Sequence, residues 1–450
     1  IFKSDEYFNP SYKKFFCVKD TLFHNSFISL FSNSLDYDYS NIEKNLSEGN
    51  YPAVYSELEN APSFLYGEND EVLKLLDLGI ISHYMKDCDV SNENLFQAEN
   101  LIQKYQAKSI TQSISSMMIN DTVIDYSGDP YEDIYSNIFM ALNYLRLQKF
   151  DDAFVEIRRF DTKQKEIAFK YQVELEQQKQ QLQENASYIP DTEIEFHNSA
   201  FARYLSLLLY RTEGNISSAE VDYKKIIQAF QLQPNIYNFA MPKMLQDELC
   251  VPDTKARLNV ISFAGLSPVK EEVLTSLYVA GSYCRVAVPV MLKRKSSINS
   301  VLVKATNLET NKVYSQEIEK IESIENIAVD TYSQKYSVVL AKTIGRLVGR
   351  IVANSTFEVL SHSRNQDVST LFSLMNIASR ITSVVSERAD VRTSRYFPGS
   401  VYVGGINVEP GLYNVKVYYK SKNGKVLLAS ESTETVEKSK LNLVETFCHK

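Results

Sequence analysis

Histidines, cysteines and paired carboxylates are the side chains with which this chain would do chemistry, and their spacing forms no catalytic pattern. His24, His83, His197, His362 and His449 never fall into H-E-x-x-H or another metal-ligand spacing. Cys17, Cys88, Cys250, Cys284 and Cys448 are scattered without a C-x-x-C pair, which signals neither a zinc site nor a disulfide framework. Cys17 follows Tyr12, Lys13, Lys14, Phe15 and Phe16 rather than the small, apolar lead-in of an acylated cysteine, and reads as an ordered, buried residue. There is no G-x-S-x-G elbow, Walker loop or dinucleotide-binding glycine pattern. Neighbouring acids such as Asp151 and Asp152, or Glu271 and Glu272, point apart on a helix or strand. The expectation is a non-enzyme with no metal and no cofactor, although a site assembled from distant residues stays open.

Two charged patterns are candidates for binding. In SVVLAKTIGRLVGRIVANS, Lys342, Arg346 and Arg350 stand four residues apart, while Val339, Ile344, Leu347, Val348 and Ile351 form a broad apolar surface. A helix with a basic stripe can lie on an anionic membrane or pack on a partner helix; a core-packed helix with a solvated edge is the plainer reading. The apolar stretch DVSTLFSLMNIASRITSVVSE is expected to pack against it. The block ERADVRTSRYFP clusters Glu387, Asp390, Arg392 and Arg395 where a helix gives way to a strand, which suits a structural ion-pair network better than an anion contact.

These patterns must be positioned by a chain of 450 residues, more than one hydrophobic core usually serves, so two or three domains are expected. A net charge of −8 argues against nucleic acid as a partner, since a phosphate backbone demands a positive surface. No apolar run is long enough to cross a bilayer. The first residue is Ile1, which suggests a processed or trimmed product whose targeting segment has been lost. From 1 to about 255, apolar residues recur at helical spacing. From 256 the pattern turns to short alternating runs, Leu258–Phe263, Arg285–Met291, Ser300–Ala305, Ser400–Val403 and Leu412–Tyr419, around a return to helical period at about 328–388. VEPGLYNVKVYYK together with YVGGIN looks like a β-hairpin or the edge of a small sandwich, and an edge strand can recruit a partner. The fold class predicted is multidomain α+β: an all-α tetratricopeptide-like array, 1–255, then an α+β module, 256–450, with a helical insert.

The array rests on internal repetition, with small residues where paired helices touch and large ones between pairs. NIFMALNYLRLQKFDDAFVEIRRF offers Ala141 and Ala153 as contact positions; FARYLSLLLYRTEGNISSAEVDYKKIIQAF offers Gly214 in the turn and Ala219 beyond it. Between them, DTKQKEIAFKYQVELEQQKQQLQEN takes the place of one regular repeat. Weaker copies surround Gly49, Tyr51 and Leu58, and run from Leu75 to Tyr105, where KDCDVSNEN reads as a lengthened turn between Gly79 and Ala98. A bundle of unrelated amphipathic helices is the alternative. On a repeat groove, Asn137, Asn143, Tyr144, Arg203 and Tyr210 would face a bound peptide; the two tyrosines fit better as core fillers between repeats.

The chain resembles uncharacterised bacterial cell-envelope proteins, often described as lipoproteins, that carry tetratricopeptide-like repeats. The likeness lies in GDPYEDIYSNIFMALNYLRLQKFDDAFVEIRRFD, HNSAFARYLSLLLYRTEG, GLSPVKEE, AVPV, ERADVRTSRYFPGSVYV and VEPGLYNVKVYY, in the family's order across roughly residues 70 to 420. The family usually has a tryptophan soon after its Ala-Asp-x-Arg stretch; this chain has Tyr396 nearby and no tryptophan. The resemblance implies export to the periplasm or envelope and a scaffold role, with other envelope proteins or further copies of itself as partners. Its specific form is a component of a flagellar motor or secretion apparatus. The alternative is a membrane-surface or cell-wall assembly factor whose C-terminal module meets lipid or glycan.

Overall fold

The computed structural model describes residues 37–111, 124–182, 198–279, 282–362 and 388–450. Among the described residues four helical hairpins precede the strands: α1 (Ser40–Glu48) with α2 (Tyr51–Glu59), α3 (Glu71–Tyr84) with α4 (Cys88–Thr111), α5 (Pro130–Arg146) with α6 (Phe150–Leu182), and α7 (Ala200–Thr212) with α8 (Ile216–Leu232). One turn builds all four. Gly49, Lys86, Gln148 and Gly214 take left-handed φ values of 76°, 65°, 58° and 75°. The residue after each donates its N–H five residues back, Asn50 to Asn45, Asp87 to Ser82, Lys149 to Tyr144 and Asn215 to Tyr210, which satisfies carbonyls the ended helix leaves open. Five residues past each turn, Val54, Ser91, Ala153 and Ala219 are wholly buried where the two helices touch. At Gly79, facing the second helix of its hairpin, a Cβ would stand 2.7 Å from the Leu95 side chain, so only glycine allows that approach.

One expectation about this half is corrected. KDCDVSNEN is no lengthened loop, because Lys86 makes the turn and α4 starts at Cys88. The charged segment after Phe160 makes no repeat of its own through Leu182; it prolongs α6 to 33 residues, roughly 50 Å at 1.5 Å per residue.

After a 3₁₀ turn at Lys243–Glu248 the strands begin: β1 (Ala256–Ala264), β2 (Val269–Val279), β3 (Ser282–Leu292), β4 (Ser300–Asn307) and β5 (Val313–Ser323). Helix α9 (Ile324–His362) follows, then β6 (Ser400–Val408), β7 (Gly411–Lys420), β8 (Val426–Val436) and β9 (Asn442–Cys448). The architecture is mixed α+β. Seven strands form one sheet in the order β8-β7-β4-β5-β6-β1-β9, curled until β8 approaches β9 and nearly closes a barrel; β2 and β3 form a separate ribbon. Among the described strands only β1 and β9 pair in parallel. The expected hairpin of YVGGIN with the following strand does not form: β6 pairs with β1 and β5, whereas β7 pairs with β4 and β8. The apolar stretch after α9 lies outside the described residues.

Alternation along the strands separates two apolar layers. Val260, Val303, Val415, Val417, Tyr419 and Val444 fill the inside of the curl. From β1, β6 and β9, Ile261, Phe263, Val401, Val403 and Phe447 project outward into the cluster that also contains the helices. The rings of Phe139, Phe201 and Phe447 surround Phe263 at centroid distances of 5.5, 5.8 and 5.7 Å. Such pairs add about 0.5–1.5 kcal/mol each beyond area burial. The change from helices to strands at Ala256 is therefore not a break in packing, because the first helices of the hairpins share one core with the sheet.

Candidate functional site

The inner face of the array is covered by the chain's own sheet, and this decides where the sequence-derived candidates stand. Asn137 donates to Glu99 and Glu156 at 3.2 and 2.6 Å, inside a buried network with Lys163 and Arg159. Asn143 donates to Ser91 and Asn92 and meets His83 Nδ1 at 2.7 Å. Both are wholly buried, so a peptide groove is not what they line. Tyr144 is half-buried against the core, and Tyr210 packs on Phe154 at 4.8 Å. Arg203 is spent on Asp161 of α6 in the neighbouring hairpin and on Asp222 of α8 in its own.

The ADVRTSRYFP segment is threaded between helices and sheet. Arg392 pairs with Asp390 at 2.9 Å and Asp70 at 3.0 Å, and Arg395 lies over the Tyr39 ring and 3.6 Å from Glu43. Glu387 lies outside the described residues. Between the arginines, Ser394 gives its hydroxyl to Asp77 at 2.5 Å and its N–H to Glu132 at 2.5 Å. Burial pushes the Asp77 carboxyl up to about 7, with the Ser394 and Tyr66 hydroxyls pulling the other way.

That shift carries a sign. The folded state keeps a proton on Asp77 that the unfolded chain releases near 3.8, so stability falls as pH rises from about 4 to about 7 and levels beyond. At about 1.4 kcal/mol per unit the whole effect is at most about 4 kcal/mol. Asp77→Asn abolishes this dependence: relative to wild type, the variant gains stability between pH 5 and pH 8 in urea denaturation. An equal difference at both pH values would place the proton elsewhere.

A cavity of about 150 Å³ lies between α6 and α9 and is walled also by the β2–β3 ribbon and by the segments at 124–127 and 388–392. Helical spacing sets its two long walls. Tyr332, Lys335, Val339, Lys342 and Arg346 share one face of α9; Ile167, Lys170, Tyr171 and Glu174 share one face of α6. Two of the three basic-stripe residues are thus turned into a cavity, and Lys342 pairs with Glu174 at 2.6 Å. The Arg350 side chain lies outside what is described.

At the cavity's inner end, Asp129 carries two ammonium groups, Lys270 at 2.7 Å and Lys335 at 3.2 Å. Asp129 is held at the start of α5, where its N–H donates to Glu132 at 2.7 Å and Pro130 opens the helix. Burial first, and then Asp129, raises the Glu132 carboxyl, which biases Glu132 toward its neutral form. Burial opposes the charge on Lys335, yet Tyr171 and Asp129 hold its ammonium above the usual lysine range. Seven lining cations, Lys170, Lys270, Lys335, Lys342, Arg346, Arg388 and Arg392, face three lining acids, Asp125, Glu174 and Asp390. In a chain of net charge −8 this is a local reversal of sign, suited to attracting an anion.

Sequence reasoning found Lys342, Arg346 and Arg392 but missed Asp129, Lys270, Lys335 and Lys170. The capping pattern GDPYE was a legible signal for Asp129; the lysines come from elements far apart in the chain. Among the described residues no group of three or more His, Cys, Asp and Glu side chains is placed to hold a metal ion, and no helix is long and apolar enough to cross a membrane. Comparison of the chain with family models, curated proteins and solved structures finds no match.

Proposed function

We propose that the chain is a non-enzymatic scaffold or adaptor of a bacterial cell envelope, built on tetratricopeptide-like hairpins whose outer helices hold the partner. The observation that carries this reading is the placement of exposed apolar side chains. Phe96 on α4, Val155 and Phe169 on α6, and Val221 and Leu232 on α8 are 48% to 71% exposed. Val155 and Val221 occupy the same place, seven residues after the left-handed turn residue of their hairpins. Apolar exposure recurring on successive second helices is what a partner surface requires. With the inner face covered by the sheet, binding moves from the groove to this outer side. A component of a flagellar motor or secretion apparatus is the specific form of the proposal.

The test is mild crosslinking of the tagged full chain in its native envelope, beside a Phe96→Glu, Val155→Glu, Val221→Glu variant. A stoichiometric protein partner captured by wild type and lost in the variant, with unchanged melting, is expected. Equal capture by both overturns the outer-helix reading, and co-purification with lipid or glycan alone overturns the scaffold.

A further inference from the structure

We infer that the cavity between α6 and α9 binds the phosphate group of a small phosphorylated molecule. Three features of the cavity converge on this. Lys270 and Lys335 both pair with the Asp129 carboxylate at the buried end, which concentrates two positive charges there. Farther out, Lys170 on α6 and Arg388 on the incoming coil line the wall, and neither makes an ion pair among the described residues. Beside the three acids, of which Glu174 pairs with Lys342 and Asp390 with Arg392, the wall is phenolic and aliphatic, with Tyr171, Tyr332, Ile167, Val338 and Pro289, a surface that accepts the organic part of an ester rather than a bare hydrated ion.

Phosphate rather than carboxylate follows from the directions of the cations. They reach in from β2, α6, α9 and the 388 segment, that is, from around the cavity rather than from one side. A carboxylate offers its charge along one planar edge, whereas a phosphate offers up to two charges and acceptor oxygens in several directions, each open to an ammonium acting as a point charge. The cavity, about 150 Å³, has room for a phosphoryl group with a small organic body. The group can belong to a soluble ester or to a lipid headgroup.

Calorimetry of the full chain with pyrophosphate and inorganic phosphate, in low-salt chloride buffer, tests the assignment. Saturable binding of one pyrophosphate is expected, weakened more than tenfold in a Lys170→Glu, Arg388→Glu variant whose melting without ligand is unchanged. A control variant at remote exposed positions, Lys422→Glu with Lys438→Glu, is expected to bind as wild type does. No saturable binding by wild type, or an equal loss in the control, overturns the inference. Co-sedimentation with phosphatidic acid vesicles then assigns the source: vesicle binding that pyrophosphate displaces indicates a lipid headgroup, and its absence beside saturable pyrophosphate binding indicates a soluble ester. Failure here leaves the scaffold proposal standing, since that rests on the outer helices and is read by protein capture.

Discussion

Glu322→Ala is expected to unfasten the helical array from the sheet. Glu322 lies near the end of β5, wholly buried, and accepts from four donors on the helical side: the hydroxyls of Tyr135, Ser199 and Tyr237, the last two at 2.5 and 2.8 Å, and the Phe201 N–H at 3.0 Å. Ser199 is the N-cap of α7, so the carboxylate also sits where that helix exposes N–H groups and a partial positive charge. Removing the carboxylate leaves buried donors unpaired at about 1–3 kcal/mol each. Because the donors relax together, the total is about 4–5 kcal/mol, the upper end for one substitution. Glu322→Gln keeps an acceptor and a similar volume and is expected to cost less than half as much. Hydrogen exchange gives the decisive readout: in Glu322→Ala, amides of α5 and α7 lose protection before those of β1 and β6. Uniform loss across helices and strands would show that Glu322 supports the fold without being the fastener between its halves.

Much of the architecture was legible because period reports burial. Tyr413, Val415, Val417 and Tyr419 alternate with half-exposed neighbours, so β7 could be read directly. The strands that escaped had patterns that misreport their place. β5, VYSQEIEKIES, carries glutamates and lysine at spacings a solvated helix would also use, and β8, VLLASESTETV, is an exposed edge rich in Ser, Thr and Glu. The hairpin turns at Lys86 and Gln148 were hidden for another reason: neither residue type announces a left-handed φ, whereas Gly49 and Gly214 do. Pairing order was not legible at all, since the break between β6 and β7 depends on β4 and β5 entering from elsewhere in the chain. The site suffered most. Sequence reading assigns charges to water by default, yet Asp77, Glu132, Glu322 and Glu445 join the helices to the sheet and its incoming coil, each with at least one partner more than a hundred residues away.

Glu445→Ala is expected to destabilise the chain nearly as much, for an electrostatic reason. Glu445 on β9 meets His83 Nε2 of α3 at 2.7 Å and pairs with Arg146 of α5. The amide of Asn143 donates to Ser91 and Asn92, which turns its oxygen toward His83 Nδ1. Both ring nitrogens of His83 thus face side-chain oxygens. Burial works to raise the Glu445 carboxyl, but His83 and Arg146 outweigh it and hold it at about 2. Truncation leaves the Arg146 guanidinium without its carboxylate and His83 Nε2 without its acceptor at a buried seam, at a cost of about 3–5 kcal/mol. The pair His83→Leu, Glu445→Leu removes both partners of one buried contact, so its destabilisation should fall short of the sum of the single changes by at least about 1 kcal/mol, the coupling expected of residues in contact. The pH profile supplies an independent check. The stabilisation from a carboxyl with a depressed folded value is complete above its unfolded value of 4.5 and is lost as pH falls toward about 2, so wild type should weaken across that interval more steeply than Glu445→Gln. Parallel acid profiles together with additive single substitutions would mean that packing of Phe447 and Tyr84, rather than charge, joins β9 to the helices.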